Sequence, residues 1–84
     1  MTNDEIMSLI QQALGEVAPT RKADFAKISL DTKIEALGLD SIATMEMVNF
    51  IEEKIDVTFP DEELARVQKI SDLVGLVRGG RTSG

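Results

Sequence analysis

The chain has 84 residues, 43% of them apolar and 29% charged, the composition of one small globular domain rather than of a disordered segment. Fifteen acids against nine bases leave a net charge of −6, so a nucleic-acid backbone would be repelled, and three Phe with no Trp or Tyr give no platform for stacking bases. The absence of Cys and His excludes disulfides, a thiolate nucleophile, a cysteine–histidine zinc site and an imidazole base, and with them the usual self-sufficient hydrolase.

The first helix opens at a capping box. Thr2 and Glu5 have the required spacing, and Asp4 and Glu5 suit the positive end of a helix dipole. Ile6, Leu9, Ile10, Ala13, Leu14 and Val17 then form one apolar stripe, and Pro19 closes the segment. Residues 18–40 hold no period of 2 or 3.6. They read as a long ordered loop, packed down by Phe25, Ile28, Leu30, Ile34, Leu37 and Leu39, with a helical turn near Lys33–Ala36.

The second helix is expected from Ser41 to Ile55, with Asp40 and Ser41 both able to cap it. Ile42, Met45, Val48, Ile51 and Ile55 mark its inward stripe at steps of three and four. Glu46, Asn49, Glu52, Glu53 and Asp56 fall off that stripe. Val57-Thr58-Phe59 is a short extended link. Pro60 then opens a third, short helix with Asp61, Glu62 and Glu63 in its first turn, ending near Val67. Ile70, Leu73, Val74 and Val77 mark a fourth helix that starts near Lys69 or Ser71.

No strand pattern and no repeat is visible, so the fold class is all-α: a small bundle of three main helices and one short one, with a long loop between the first two. The domain is expected over residues 1–77, with 78–84, including Gly79-Gly80-Arg81-Thr82-Ser83-Gly84, as a flexible tail. No apolar run approaches the length of a membrane span, and the acidic start MTNDEIMSLI lacks the basic region of a signal peptide. The expectation is a cytoplasmic monomer with no membrane partner.

Charge is concentrated. Residues 40–64 hold eight acids and one base, while residues 65–84 hold one acid and four bases. The acidic stretch reads either as a solvated helix face with dipole-favourable caps or as a docking surface for basic partners. No segment has the spacing of a calcium-binding loop, so no metal site is assigned. Gly38 permits a tight entry into the second helix, and Asp40-Ser41 puts a hydroxyl at the N-terminal end of that helix beside a carboxylate. Alone, that serine has no base beside it and reads as a cap, but it is exposed for another enzyme to modify, and an anionic phosphodiester there would sit at the positive helix end.

The stretch Leu37-Gly38-Leu39-Asp40-Ser41-Ile42 resembles the phosphopantetheine attachment motif of acyl carrier proteins, Gly-x-Asp-Ser followed by Leu, Ile or Met. The likeness covers nearly the whole chain, through the acidic second helix, Phe59-Pro60-Asp61-Glu62-Glu63 and the closing Ile70-Ser71-Asp72-Leu73-Val74. It implies a non-catalytic carrier whose Ser41 receives 4′-phosphopantetheine from coenzyme A through a phosphopantetheinyl transferase. Asp40 would help the transferase engage. Ile42, Glu46, Glu52, Glu53, Asp61 and Glu62 would meet partner enzymes, and Met45, Val48, Ile51 and Ile55 would line the space for an acyl chain. With no Cys in the chain, the thiol that carries acyl or aminoacyl cargo as a thioester would come from the arm.

The implied partners are the transferase, an acyl-loading ligase or acyltransferase, and a ketosynthase or other acyl-processing enzyme, in polyketide, fatty-acid or related biosynthesis. Ala43, Lys54, Asn49 and Phe50 depart from the commonest family choices and reshape the docking face without touching the attachment residue. A different class of protein, an unmodified acidic helical adaptor for a basic surface, is the alternative, and a divalent-metal buffer a third.

Overall fold

A computed structural model describes residues 2–79. The first helix, α1, spans Asn3–Val17. Its capping box forms as the sequence predicts: the Glu5 N–H donates to Thr2 Oγ1 at 3.1 Å and the Thr2 N–H donates to Glu5 Oε1 at 2.9 Å. The expected stripe is the buried one, with Ile6, Leu9, Ile10, Ala13 and Leu14 in the core and Val17 packed partly against it.

The connection that follows is more ordered than a loop. A 3-10 turn at Pro19–Arg21 leads into α2, Lys22–Phe25, and a second 3-10 turn spans Ile34–Leu37. Turns of three and four residues are too short to show a hydrophobic period, which is why the sequence reads as irregular here. Phe25 and Leu37 are buried, and the Phe25 carbonyl accepts from Gln11 Nε2 of α1 at 3.3 Å. Gly38 then turns the chain with φ of 72°, a left-handed conformation that glycine adopts without the clash a Cβ brings.

Helix α3 runs Ser41–Ile55, the predicted bounds. Its inward face differs from the expected stripe. Met47, Val48 and Ile51 are buried, whereas Ile42 is 71% and Met45 47% exposed. The two phases share Val48, Ile51 and Ile55, but Ile42 and Met45 near the start of α3 lie outside the core, and Met47 takes the inward place. Asp56 ends the helix in the left-handed region at φ of 54°.

After the link, α4 is a single turn, Asp61–Leu64. The sequence predicts a helix reaching Val67. Instead the chain leaves through tight turns, with Arg66 N donating to the Glu63 carbonyl and Val67 N to that of Leu64, both at 3.1 Å. The last helix, α5, spans Ile70–Arg78. Asp72 caps it, accepting from the Gln68 and Lys69 N–H groups at 3.0 and 3.1 Å. Arg78 belongs to this helix rather than to a tail, and its Nη1 donates to Asn3 Oδ1 at 2.9 Å. Of the expected tail, residues 80–84 lie outside the described residues.

The core forms where α1 packs against α2, α3 and α5. Ile70, Leu73, Val74 and Val77 complete it from α5, and Phe59 seals it from the link. A fully buried aliphatic side chain contributes about 1.5–3 kcal/mol, so these stripes hold the short helices that could not persist alone. Among the described residues no polar side chain is buried. The all-α class holds. The expected count of one short helix becomes two with α2, and the long connection is pinned at its far end. There Ile34 N donates to the Gln68 carbonyl and Ile70 N to that of Thr32, both at 2.8 Å, and Ser71 N to that of Leu30 at 2.9 Å.

Candidate functional site

The site begins where two rules of helix initiation meet. Asp40, extended at φ −79° and ψ 178°, is the N-cap, and its Oδ1 accepts from the Ala43 N–H at 2.7 Å. Its carbonyl accepts from Thr44 N at 2.9 Å and Thr44 Oγ1 at 2.8 Å. The capping is thus complete without Ser41. That serine occupies the first helical position, exposed, and among the described residues its hydroxyl makes no hydrogen bond. Ile42 projects into solvent beside it.

Ser41 stands at the edge of a groove of about 670 Å³. The wall opposite α3 comes from the pinned segments, with Lys33 and Ile34 on one and Val67, Gln68 and Lys69 on the other. The groove continues into a second, apolar pocket of about 420 Å³. Ile34, Thr44, Met45 and Val67 line both. The far end of the apolar pocket is formed by Met47, Val48, Leu64 and Leu73, with Asp61 at its rim. A polar approach thus leads from an exposed hydroxyl to an apolar chamber between α3, α4 and α5.

Of the four residues expected along an acyl chain, Met45 and Val48 line this pocket. Ile51 and Ile55 line neither space. Ile51 is sealed in the core, and Ile55 packs partly against that core, because the helix turns them away from the chamber. Met47, Leu64, Val67 and Leu73 line it instead. Met47 follows once the phase of α3 is corrected. The others lie on separate segments, and no local spacing marks them.

Among the acids expected to meet partners, Glu46 and Glu53 on α3 and Asp61 and Glu62 on α4 are exposed. Glu52 is different. It is half-buried, and its Oε2 accepts the Phe59 N–H at 2.7 Å. Its carboxylate therefore tethers the link after α3 instead of standing free with the others. No sequence motif announces this contact between positions seven residues apart.

A covalent phosphodiester arm fits the geometry. The hydroxyl is solvent-facing and uncommitted, its neighbours carry the cap, and the groove beside it is polar near the serine and apolar beyond. An exposed hydroxyl at the start of an acidic helix, in an all-α fold with an apolar pocket between its helices, is the arrangement a carrier domain needs.

The chain matches the family of the phosphopantetheine attachment site over residues 4–77 and belongs to that family. It is similar to an acyl carrier protein of Campylobacter fetus, with 37% identity over 90% of this chain and 91% of the relative. An acyl carrier protein of Akkermansia muciniphila is 35% identical over 88% of this chain and 85% of its own length. The anthracycline acyl carrier protein DpsG of Streptomyces peucetius is 41% identical over 76% of this chain and 71% of its own length. The chain is a phosphopantetheine-dependent acyl carrier, which holds intermediates as thioesters for biosynthetic enzymes. Among the described residues no helix is long and apolar enough to cross a membrane.

Proposed function

We propose that Ser41 is the residue that receives the arm and that the groove beside it guides cargo into the pocket lined by Met45, Val48, Val67 and Leu73. The observation that carries this reading is the uncommitted Ser41 hydroxyl at the edge of a groove that opens into an apolar chamber. When attached, the arm supplies the thiol this chain lacks. In the loading step a bond forms between Ser41 Oγ and phosphorus. The pyrophosphate bond of coenzyme A breaks, adenosine 3′,5′-bisphosphate departs as the leaving group, and the serine proton passes to a base on the transferase. Asp40 holds the first turn of α3 in place during that attack through its bond to the Ala43 N–H.

The chain itself catalyses nothing: it has no His or Cys, and the carrier role needs none. Its partners are a phosphopantetheinyl transferase in the cytoplasm, an acyl-loading ligase or acyltransferase, and a ketosynthase or related acyl-processing enzyme. Ile42 supplies an apolar contact beside the attachment point. Glu46, Glu53, Asp61 and Glu62 steer basic rims toward it, each worth about 0–1 kcal/mol alone and acting together on the encounter rate.

The test is intact mass after incubation with coenzyme A and a broad-specificity transferase. Wild type should gain one phosphopantetheinyl group and Ser41→Ala none. Because Asp40 carries the cap, the variant should stay within about 0.5 kcal/mol of wild-type stability. A Ser41→Ala variant that still gains the arm would refute the assignment.

A further inference from the structure

An acidic chain places two cations without an ion-pair partner among the described residues in the groove that Ser41 lines. Lys33 and Lys69 line the same groove as Ser41. They are also paired directly across an isolated antiparallel bridge. Directly opposed residues of such a bridge point to the same side with Cβ atoms about 4.5–5.5 Å apart, and like charges there are destabilising. Among the described residues the one ion pair is Arg21–Asp24, so neither lysine has a carboxylate partner at contact distance. The nearby acids do not fill that role. Asp40 is engaged at the cap, Glu35 lies on the groove wall outside ion-pair distance, and Asp72 is committed to two backbone N–H groups, offsetting the Lys69 charge only in part.

Two lysines set side by side by the backbone, lining a groove and without a carboxylate at ion-pair distance, can seat an anion. The proposed carrier chemistry supplies one at this place: a phosphodiester on Ser41 bears a permanent negative charge at the edge of that groove. We infer that Lys33 and Lys69 form a cationic seat for the phosphodiester of the arm, drawing it against the groove wall and aiming the arm toward the apolar pocket. The inference rests on the assignment of Ser41 as the attachment residue. The positive end of the α3 dipole adds to the attraction from the other side. Lys33 and Lys69 are positioning residues: they bind the arm's anion and touch no reacting atom.

The experiment compares wild type with Lys33→Gln/Lys69→Gln, each unmodified and loaded, by intact mass, thermal melting and NMR of the lysine side-chain methylenes. Both proteins should gain the same mass. Loading should raise the melting temperature of wild type by roughly 2–5 °C, the size expected of partly exposed ion pairs in a domain this small. That rise should vanish in the double variant and return in Lys33→Arg/Lys69→Arg. In loaded wild type the Lys33 and Lys69 methylene resonances should move while those of Lys22, Lys27 and Lys54 stay. Equal melting shifts in both loaded proteins with unmoved Lys33 and Lys69 resonances would overturn the seat and leave the carrier reading standing. Absence of any mass gain in wild type would overturn the carrier reading itself and remove the anion the seat needs.

Discussion

Glu52→Ala should destabilise the domain although the residue sits in an acidic surface helix. Its carboxylate takes the N–H of Phe59, and its carbonyl takes the N–H groups of Asp56 and, at 3.1 Å, Val57. One residue therefore closes the reversal of the chain after α3, and Phe59, buried in the core, is fixed by it. The substitution leaves the backbone bonds and removes the charge-assisted one, stranding a part-buried N–H. Such a loss costs about 1.5–3 kcal/mol, out of the roughly 5–15 kcal/mol that a domain possesses. At about 4–8 °C per kcal/mol for this size, the melting temperature should fall by roughly 6–24 °C.

Two controls isolate the cause. Glu52→Gln keeps an acceptor without the charge and should cost about half as much. Glu53→Ala removes a neighbouring exposed acid and should stay within about 0.5 kcal/mol. Urea titration gives the stabilities, and amide exchange should show the Phe59 N–H losing protection in Glu52→Ala alone. If Glu52→Ala and Glu53→Ala are equally stable, the tether has no energetic role and Glu52 returns to the free docking acids.

Ile51→Ala, which empties a sealed core position, should cost about 2–5 kcal/mol in urea titration without altering phosphopantetheine loading of the folded fraction. Gly38→Ala forces a Cβ into the left-handed region at φ of 72° and within 3.2 Å of Arg21 Nη1, and should cost about 1–2 kcal/mol in the same assay, with Gly38→Asn milder. Acid should weaken the fold through two caps. Hydrogen bonds from Thr2 hold the Glu5 carboxyl below its ordinary value, and those from the Gln68 and Lys69 N–H groups do the same for Asp72. Both contributions are whole above the ordinary carboxylate range and disappear as pH falls through the depressed folded values, so melting temperature against pH should drop below about pH 4 and flatten in Glu5→Gln/Asp72→Asn.

The sequence made α1 and α3 readable because each joins a capping residue to a long run of periodic apolar positions. The proposed attachment residue was readable too, since the Gly38–Ile42 stretch carries its motif locally. Legibility failed wherever a role depends on a distant segment. The phase of α3 is ambiguous because Val48, Ile51 and Ile55 fit either stripe, and only the surroundings decide it, which leave Ile42 in solvent and Met45 at the pocket instead of the core. Glu52 looks like its exposed neighbours until Phe59 folds back onto it. Lys33 and Lys69 are unremarkable in sequence, 36 positions apart, until backbone bonds set them side by side.

Neither the groove nor the pocket takes a single lining residue from α1. Helix α1, as long as α3, packs on the other side of α3 and carries much of the core, whereas one wall of the chamber is α4, a single turn with no side-chain cap. The helix that carries the core and the turn that walls the chamber are thus separate pieces. If cargo enters the chamber as proposed, a longer or bulkier guest should displace the four residues of α4 before it opens the α1–α3 contact. Substitutions in and around α4 should then change the chamber's capacity without eroding the α1–α3 contacts that keep the domain folded.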